Sequence, residues 1–145
     1  MKLVIQRVSK ASVSVKGENV AEIGEGLFVL VGIKEGDTQK DAQFLAEKLA
    51  KLRVMSDEEG KMNLTVSDVS GEILVVSQFT LYADTSGGNR PSFIKAARPE
   101  VAQPIYEHFV DQLTSHGVSV KTGQFGEYME IETVLDGPVT IILES

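Results

Sequence analysis

Leu27-Phe28-Val29-Leu30-Val31-Gly32-Ile33 is an unbroken apolar run of strand length. A strand with one wet face alternates apolar and polar side chains, and a strand covered on both faces does not. The run therefore predicts a central strand. Upstream, Leu3, Ile5 and Val8 open a strand that continues from Ala11 to Val15, where Val13 and Val15 alternate. Lys16-Gly17-Glu18-Asn19 reads as a turn. Downstream the period changes. Ala42, Leu45, Ala46, Leu49 and Leu52 follow helical spacing, with a capping box in Thr38-Gln39-Lys40-Asp41.

Asp57-Glu58-Glu59-Gly60 reads as a turn, and Ile73 to Phe79 as a second strongly apolar strand. A Gly- and Ser-rich loop follows from Ala83 to Ser92. A second helix runs from about Pro99 to His116, with Val101, Ile105, Phe109 and Leu113 as its apolar stripe and Gly117 as terminator. Pro104 conflicts with that helix, because an internal proline removes a hydrogen bond and costs ~3 kcal/mol. Either the helix starts near Gln103 or its first turn is distorted. Strands return over Val118–Lys121, Tyr128–Leu135 and Val139–Leu143. The pattern predicts an α+β fold: a large, mainly antiparallel sheet or partial barrel with two packed helices. No repeat or linker divides it, so residues 1–145 are expected to form one domain.

Apolar residues make up 42%, enough for a sizeable core, yet no run approaches the roughly 18 residues of a membrane span. The first residues alternate and lack a secretory apolar stretch. There is no cysteine, which excludes disulfides and thiolate chemistry. A cytoplasmic protein without membrane contact is expected. The formal charge of −7 opposes broad binding to a phosphate backbone. Any RNA contact should be local. From Gly87 to Pro99 the chain carries Arg90, Lys95 and Arg98 and no acid, which suits such a contact or a plain solvated loop.

Conventional catalytic sets are missing. His108 and His116 both belong to the second helix region, and there is no Gly-x-Ser-x-Gly elbow for a nucleophile. No His-Glu-x-x-His or acidic calcium loop occurs, so neither a metal nor a cofactor is expected. Gly87-Gly88-Asn89-Arg90-Pro91 lacks the Gly-Lys-Ser/Thr ending of a phosphate loop. Two places stand out. Ser77-Gln78-Phe79-Thr80 puts hydrogen-bonding side chains at the end of a buried strand. There they must find partners, and free backbone N–H groups could hold an oxyanion. A Thr/Ser-rich edge strand explains the same residues. Gly137-Pro138 interrupts two apolar strands, as a simple turn or as a cis peptide.

At these segments the chain resembles the bacterial D-aminoacyl-tRNA (D-tyrosyl-tRNA) deacylases, along essentially its whole length. The shared segments are Gln6-Arg7-Val8, Gly60-Lys61-Met62-Asn63-Leu64, Ser77-Gln78-Phe79-Thr80-Leu81, Arg90-Pro91-Ser92-Phe93, Thr122-Gly123-Gln124-Phe125-Gly126 and Gly137-Pro138-Val139-Thr140, in the family's order. The resemblance implies the deacylase fold and hydrolysis of the ester between a D-amino acid and the 3′ end of tRNA. It also implies a homodimer with two active sites at the interface.

Residues matching Ser77, Gln78, Phe79 and Thr80 line the family's site. Gly137-Pro138 matches a cis element that enters the partner's site and leaves no room for an L side chain. The same filter would admit glycyl-tRNA. Arg7 matches a residue that holds this element, and Phe125 one near the terminal adenosine. Thr80 has been considered a nucleophile in the family. Assistance by the substrate's ribose 2′-hydroxyl fits this sequence better, because no histidine partners the threonine. The chain departs from the family at Leu135, where Asn is common, and at Glu127-Tyr128. Two readings compete with the deacylase. One is a non-catalytic module that binds RNA ends or proteins, and the other is a hydrolase of small esters.

Overall fold

The computed structural model describes residues 1–145. Its elements, in chain order, begin with strands β1 (Lys2–Val15), β2 (Glu18–Ile23) and β3 (Gly26–Gly32). Helix α1 (Gln39–Ala50), the short strands β4 (Met55–Ser56) and β5 (Met62–Leu64), and strand β6 (Glu72–Ser77) follow. A 3-10 turn (Phe79–Tyr82), helix α2 (Pro99–Ser115) and strands β7 (Ser119–Thr122) and β8 (Glu130–Glu144) complete the chain.

β1 organises the main sheet. β8 runs antiparallel along one of its edges from Lys2 to Ser14. The other edge is shared by β3, which pairs with Lys2–Val8, and β2, which pairs with Ala11–Val15. β6 joins β3 and β7 joins β6, both in parallel. Antiparallel pairing thus holds three of the five ladders. β2 also touches β6 and β7, so the sheet curls toward a barrel. The turn between β1 and β2 is tight: Lys16 and Gly17 both have positive φ, so Glu18 and Asn19 already belong to the strand.

The curl makes two cores. Ile73 and Val75 of β6 and Val29 and Val31 of β3 meet Leu45, Leu49, Ile105, Phe109 and Leu113 of the helices. Leu74, Val76 and Phe28 point the other way, into a smaller cluster with Val8, Val13 and Ile23. Both faces of β3 and β6 are therefore covered, which is why their sequences run apolar without alternation. Each such side chain contributes roughly 1.5–3 kcal/mol by leaving water. Gly26 keys the β3–β6 ladder: a Cβ there would lie 1.9 Å from the Glu72 carbonyl oxygen.

α1 starts as its capping box predicts. The Asp41 carboxylate accepts from the Thr38 N–H at 2.8 Å and the Thr38 hydroxyl at 2.9 Å. α2 begins at Pro99, the favoured first position for proline, and carries Pro104 inside it. The buried stripe is Ile105, Tyr106, Phe109 and Leu113. Val101 is exposed, and the stripe includes Tyr106, which spacing did not assign to it. At the other side of the fold the Met1 amino group is buried against Asp37 at 2.7 Å. No helix is long and apolar enough to cross a membrane.

Two local expectations need correction. Phe79 is not the end of the apolar strand: β6 stops at Ser77, and Phe79 opens the 3-10 turn. The C-terminal stretch is one strand, β8, not two strands with a turn between them. Gly137-Pro138 is accommodated by a bulge instead.

Candidate active site

β6 ends where its ladder with β3 ends. The Gln78 N–H still donates to the Val31 carbonyl at 2.8 Å, and beyond it the chain turns away. The hydrogen bonds of the 3-10 turn begin with the Leu81 N–H donating to the Gln78 carbonyl. The N–H groups of Phe79 and Thr80, first in the turn, have no acceptor ahead of them within it. The Gln78 side-chain amide donates to Thr80 Oγ1. An amide donor cannot take a proton, so this contact orients the hydroxyl without making it a nucleophile.

This strand end opens into a cleft of about 770 Å³. Ser77, Gln78, Phe79 and Thr80 form one wall and Phe125, Gly126 and Glu127 another. Ala97, Pro99 and Ala102 bring the start of α2 to it. The lining is mostly apolar. Phe79 is 58% exposed and meets Phe93 edge to face, with ring centroids 5.1 Å apart. Neither histidine lines the cleft, and Glu127 is its one carboxylate. Glu127 lies 3.7 Å from the Lys16 ammonium. Apart from Glu127 and Tyr128, the hydrogen-bonding side chains of the cleft are therefore Ser77, Gln78 and Thr80.

Tyr106, which spacing did not single out, backs the cleft. Its hydroxyl donates to the Val75 carbonyl at 3.0 Å, and its ring lies 5.7 Å from that of Phe125. Burial pushes its phenol well above the ordinary value, so it remains a donor. The Gly123 N–H donates to the same carbonyl at 3.0 Å, which ties the Phe125 segment to β6. The one available signal for Tyr106 was a tyrosine beside the apolar stripe of α2.

Gly137, Pro138 and Arg7 are not part of this cleft. Gln6 faces Thr140 and Val8 faces Leu135, so the single β1 residue Arg7 stands opposite the four residues Asp136, Gly137, Pro138 and Val139. The surplus forms an exposed protrusion, and its Gly137–Pro138 peptide is cis. Gly137 has φ +135°, and a Cβ there would lie 2.6 Å from the Val139 nitrogen, so a side chain is barred. Arg7 braces the base of the protrusion. Its Nε donates to the Asp136 carboxylate at 2.8 Å, and its Nη1 reaches the Val54 carbonyl at 2.9 Å and Ser56 Oγ at 3.1 Å. Leu135 is exposed at the foot of the bulge.

The basic loop is less free than its composition suggests, because Lys95 is paired with Asp84 at 2.7 Å. That contact, with the Ser86 hydrogen bonds, holds the Asp84 carboxyl well below the usual range. Arg90 and Arg98 remain exposed, beside Phe93 and Pro99 of the cleft.

The family model described as D-Tyr-tRNA(Tyr) deacylase matches residues 4–144. A D-aminoacyl-tRNA deacylase of Dehalococcoides mccartyi is 57% identical, over all of this chain and 95% of the relative. One from Bacillus licheniformis is 55% identical, over all of this chain and 99% of the relative. A solved structure titled c-Myc DNA Unwinding Element Binding Protein superposes with a TM-score of 0.93 at 46% identity, covering 100% of this chain and 99% of that one. A probable eukaryotic D-amino acid tRNA deacylase shares the fold at a TM-score of 0.86 and 14% identity. With the matched residues running from the first strand to the last, the chain belongs to the D-Tyr-tRNA(Tyr) deacylase family.

Proposed function

We propose that this protein hydrolyses the ester bond of D-aminoacyl-tRNA, releasing the free D-amino acid and tRNA. The observation that carries the reading is the composition of the cleft. Apart from Glu127 and Tyr128, its polar side chains are gathered at Ser77–Thr80 beside the open amides of the 3-10 turn, in a family member matched end to end. The Phe79 and Thr80 N–H groups face the charge that develops on the ester oxygen. The cleft offers no histidine, so water attacks with help from the substrate's own 2′-hydroxyl, and Ser77, Gln78 and Thr80 orient the ester. The Phe125 ring gives the terminal adenosine a face on which to stack.

Selectivity is assigned to the protrusion at Gly137-Pro138, entering the cleft of a second copy and leaving no space for an L side chain. Glycine has no side chain to exclude, so glycyl-tRNA, with glycine mischarged on tRNA-Ala, is a further substrate of the same site. Support for the second copy comes from β8. It is 15 residues long, pairs only with β1, and exposes Ile131, Val134, Leu135 and Ile142. A long bare strand edge with apolar side chains calls for a cover. Sedimentation should give twice the chain mass of 15.7 kDa, and a monomer at working concentration contradicts the arrangement. The cytoplasm, where tRNA is charged, is the expected location.

The test compares a charged D-aminoacyl-tRNA with the methyl ester of the same D-amino acid. Turnover should favour the tRNA by orders of magnitude, and faster cleavage of the free ester would replace this reading with a small-ester hydrolase. Thr80→Ala refines the mechanism. It should retain activity within about tenfold, as expected of an orienting hydroxyl. Total loss with an intact fold and intact binding would make Thr80 the nucleophile.

A further inference from the structure

Outside the cleft, the exposed face of α1 has a composition at odds with the rest of the molecule. A shallow groove of about 460 Å³ is lined by Phe44, Glu47, Lys48, Lys51, Leu52 and Arg53. Three cations and one carboxylate give the groove a net charge of +2, in a chain of net charge −7. Phe44 is 51% exposed, and the Lys48 ammonium sits over its ring at 5.6 Å. Lys51 is bound to Glu47 at 2.6 Å, which keeps that carboxyl charged, but Lys48 has no carboxylate partner. A half-exposed aromatic ring among cations is the combination that takes a nucleobase and its phosphates together.

The groove is also tied to the selectivity element. It ends at Leu52-Arg53, and the next residue, Val54, gives its carbonyl to Arg7 at 2.9 Å. Arg7 in turn holds Asp136, the residue before Gly137. One side chain thus joins the segment just after the groove to the protrusion.

We propose that this α1 groove is a second contact for the tRNA, gripping its sugar–phosphate chain away from the ester. The inference rests on the deacylase reading above for the identity of the RNA. The positive charge excludes a basic partner, and the exposed ring distinguishes it from a simple counter-charge for an acidic protein. A local grip also explains how a chain of net charge −7 holds a polyanion.

The test uses the full chain and two variants, Lys48→Gln/Lys51→Gln and Phe44→Ala, with thermal melts to confirm folding. Binding of uncharged tRNA should weaken roughly tenfold in the double variant, with a salt dependence shallower by about 1.5 in log–log slope. Phe44→Ala should weaken it about fivefold. On D-aminoacyl-tRNA, KM should rise by the same factors with kcat unchanged, while hydrolysis of D-aminoacyl-adenosine stays as in the wild type. Unchanged tRNA affinity overturns the proposal. So does an equal loss on D-aminoacyl-adenosine, which would place the effect in the cleft. Polyglutamate binding to the wild type as tightly as tRNA, and lost in the double variant, overturns it in favour of an acidic protein. A wild type that cleaves no charged tRNA defeats the deacylase reading alone, because binding of uncharged tRNA still decides the groove.

Discussion

The cleft at Ser77–Thr80 and the protrusion at Asp136–Val139 are opposite solutions to the same problem of interrupting a sheet. At the cleft, β6 ends and the chain coils into a 3-10 turn, leaving a hollow with open amides. At the protrusion, β8 continues but carries four residues opposite one, so the surplus stands out from the surface. The hollow is walled by three segments, the end of β6, the start of α2 and the Phe125 loop. The protrusion has one principal brace, Arg7. The two also sit at opposite ends of the β3 ladder: Arg7 pairs with Leu27, and Ser77 with Val31. The comparison teaches that the cleft can be altered gradually, because its walls are redundant, whereas the protrusion depends on a single side chain.

The largest effect should therefore come from Arg7→Ala. Freed from Asp136, the protrusion loses its position, and discrimination between D- and L-aminoacyl-tRNA should fall about a hundredfold, the scale of a misplaced contact. Hydrolysis of the D substrate should persist. Rates on matched D and L substrates check it, and unchanged discrimination would show that other contacts hold the bulge.

Phe125→Ala should act on the cleft alone. Loss of one stacked base raises KM about tenfold with little change in kcat or selectivity. A change in D/L selectivity would break the separation between the two regions.

The sequence made these two regions legible to different degrees. The buried strands announced themselves, because β3 and β6 lie between two cores and cannot afford polar residues on either face. Helix α1 was equally plain, down to the Thr38–Asp41 cap. The polar end of β6 was visible as an oddity, but its turn was not. Phe79 is apolar, so periodicity extended the strand through it, although the ladder with β3 had run out at Ser77. Gly137-Pro138 was visible as a break, yet a bulge depends on what β1 presents opposite, and only the register of Arg7 reveals it. Tyr106 was hidden for a similar reason: Val101 has the better spacing, but in the first turn of α2 Ala102 packs against the core and Val101 is exposed. The partners of Lys95 and Arg7 lie in other segments, and no local pattern discloses them.

A smaller effect is expected behind the cleft. Tyr106→Phe removes the hydroxyl from the Val75 carbonyl, which keeps its bond from the Gly123 N–H. The loss should be about 1 kcal/mol, the lower end for a buried hydrogen bond, because the acceptor is not orphaned. Urea denaturation measures it, and a loss above about 3 kcal/mol would mean that Tyr106 supports more of the cleft than this bond.

The smallest effect belongs to a site remote from both regions. The Thr38 N–H, then the Ser145 and Thr38 hydroxyls, hold the Asp41 carboxyl down to about 2, against an ordinary 3.8. A depressed carboxylate contributes stability above the unfolded pKa and loses it as pH falls through the folded one. Asp41→Asn should cost about 0.5 kcal/mol at neutral pH, discounted for the exposed setting of the cap. The difference from wild type should shrink between pH 4 and pH 2. KM and D/L selectivity should not move, which makes this variant the control for the other three.

The central claim is a hydrolytic cleft guarded by a chiral protrusion. Its most direct test is the hydrolysis of one tRNA charged with the D or the L form of the same amino acid, at enzyme concentrations where the proposed dimer would form. The account predicts rapid release of the D-amino acid and sparing of the L ester. Equal rates on both forms, or no hydrolysis of either, would contradict it.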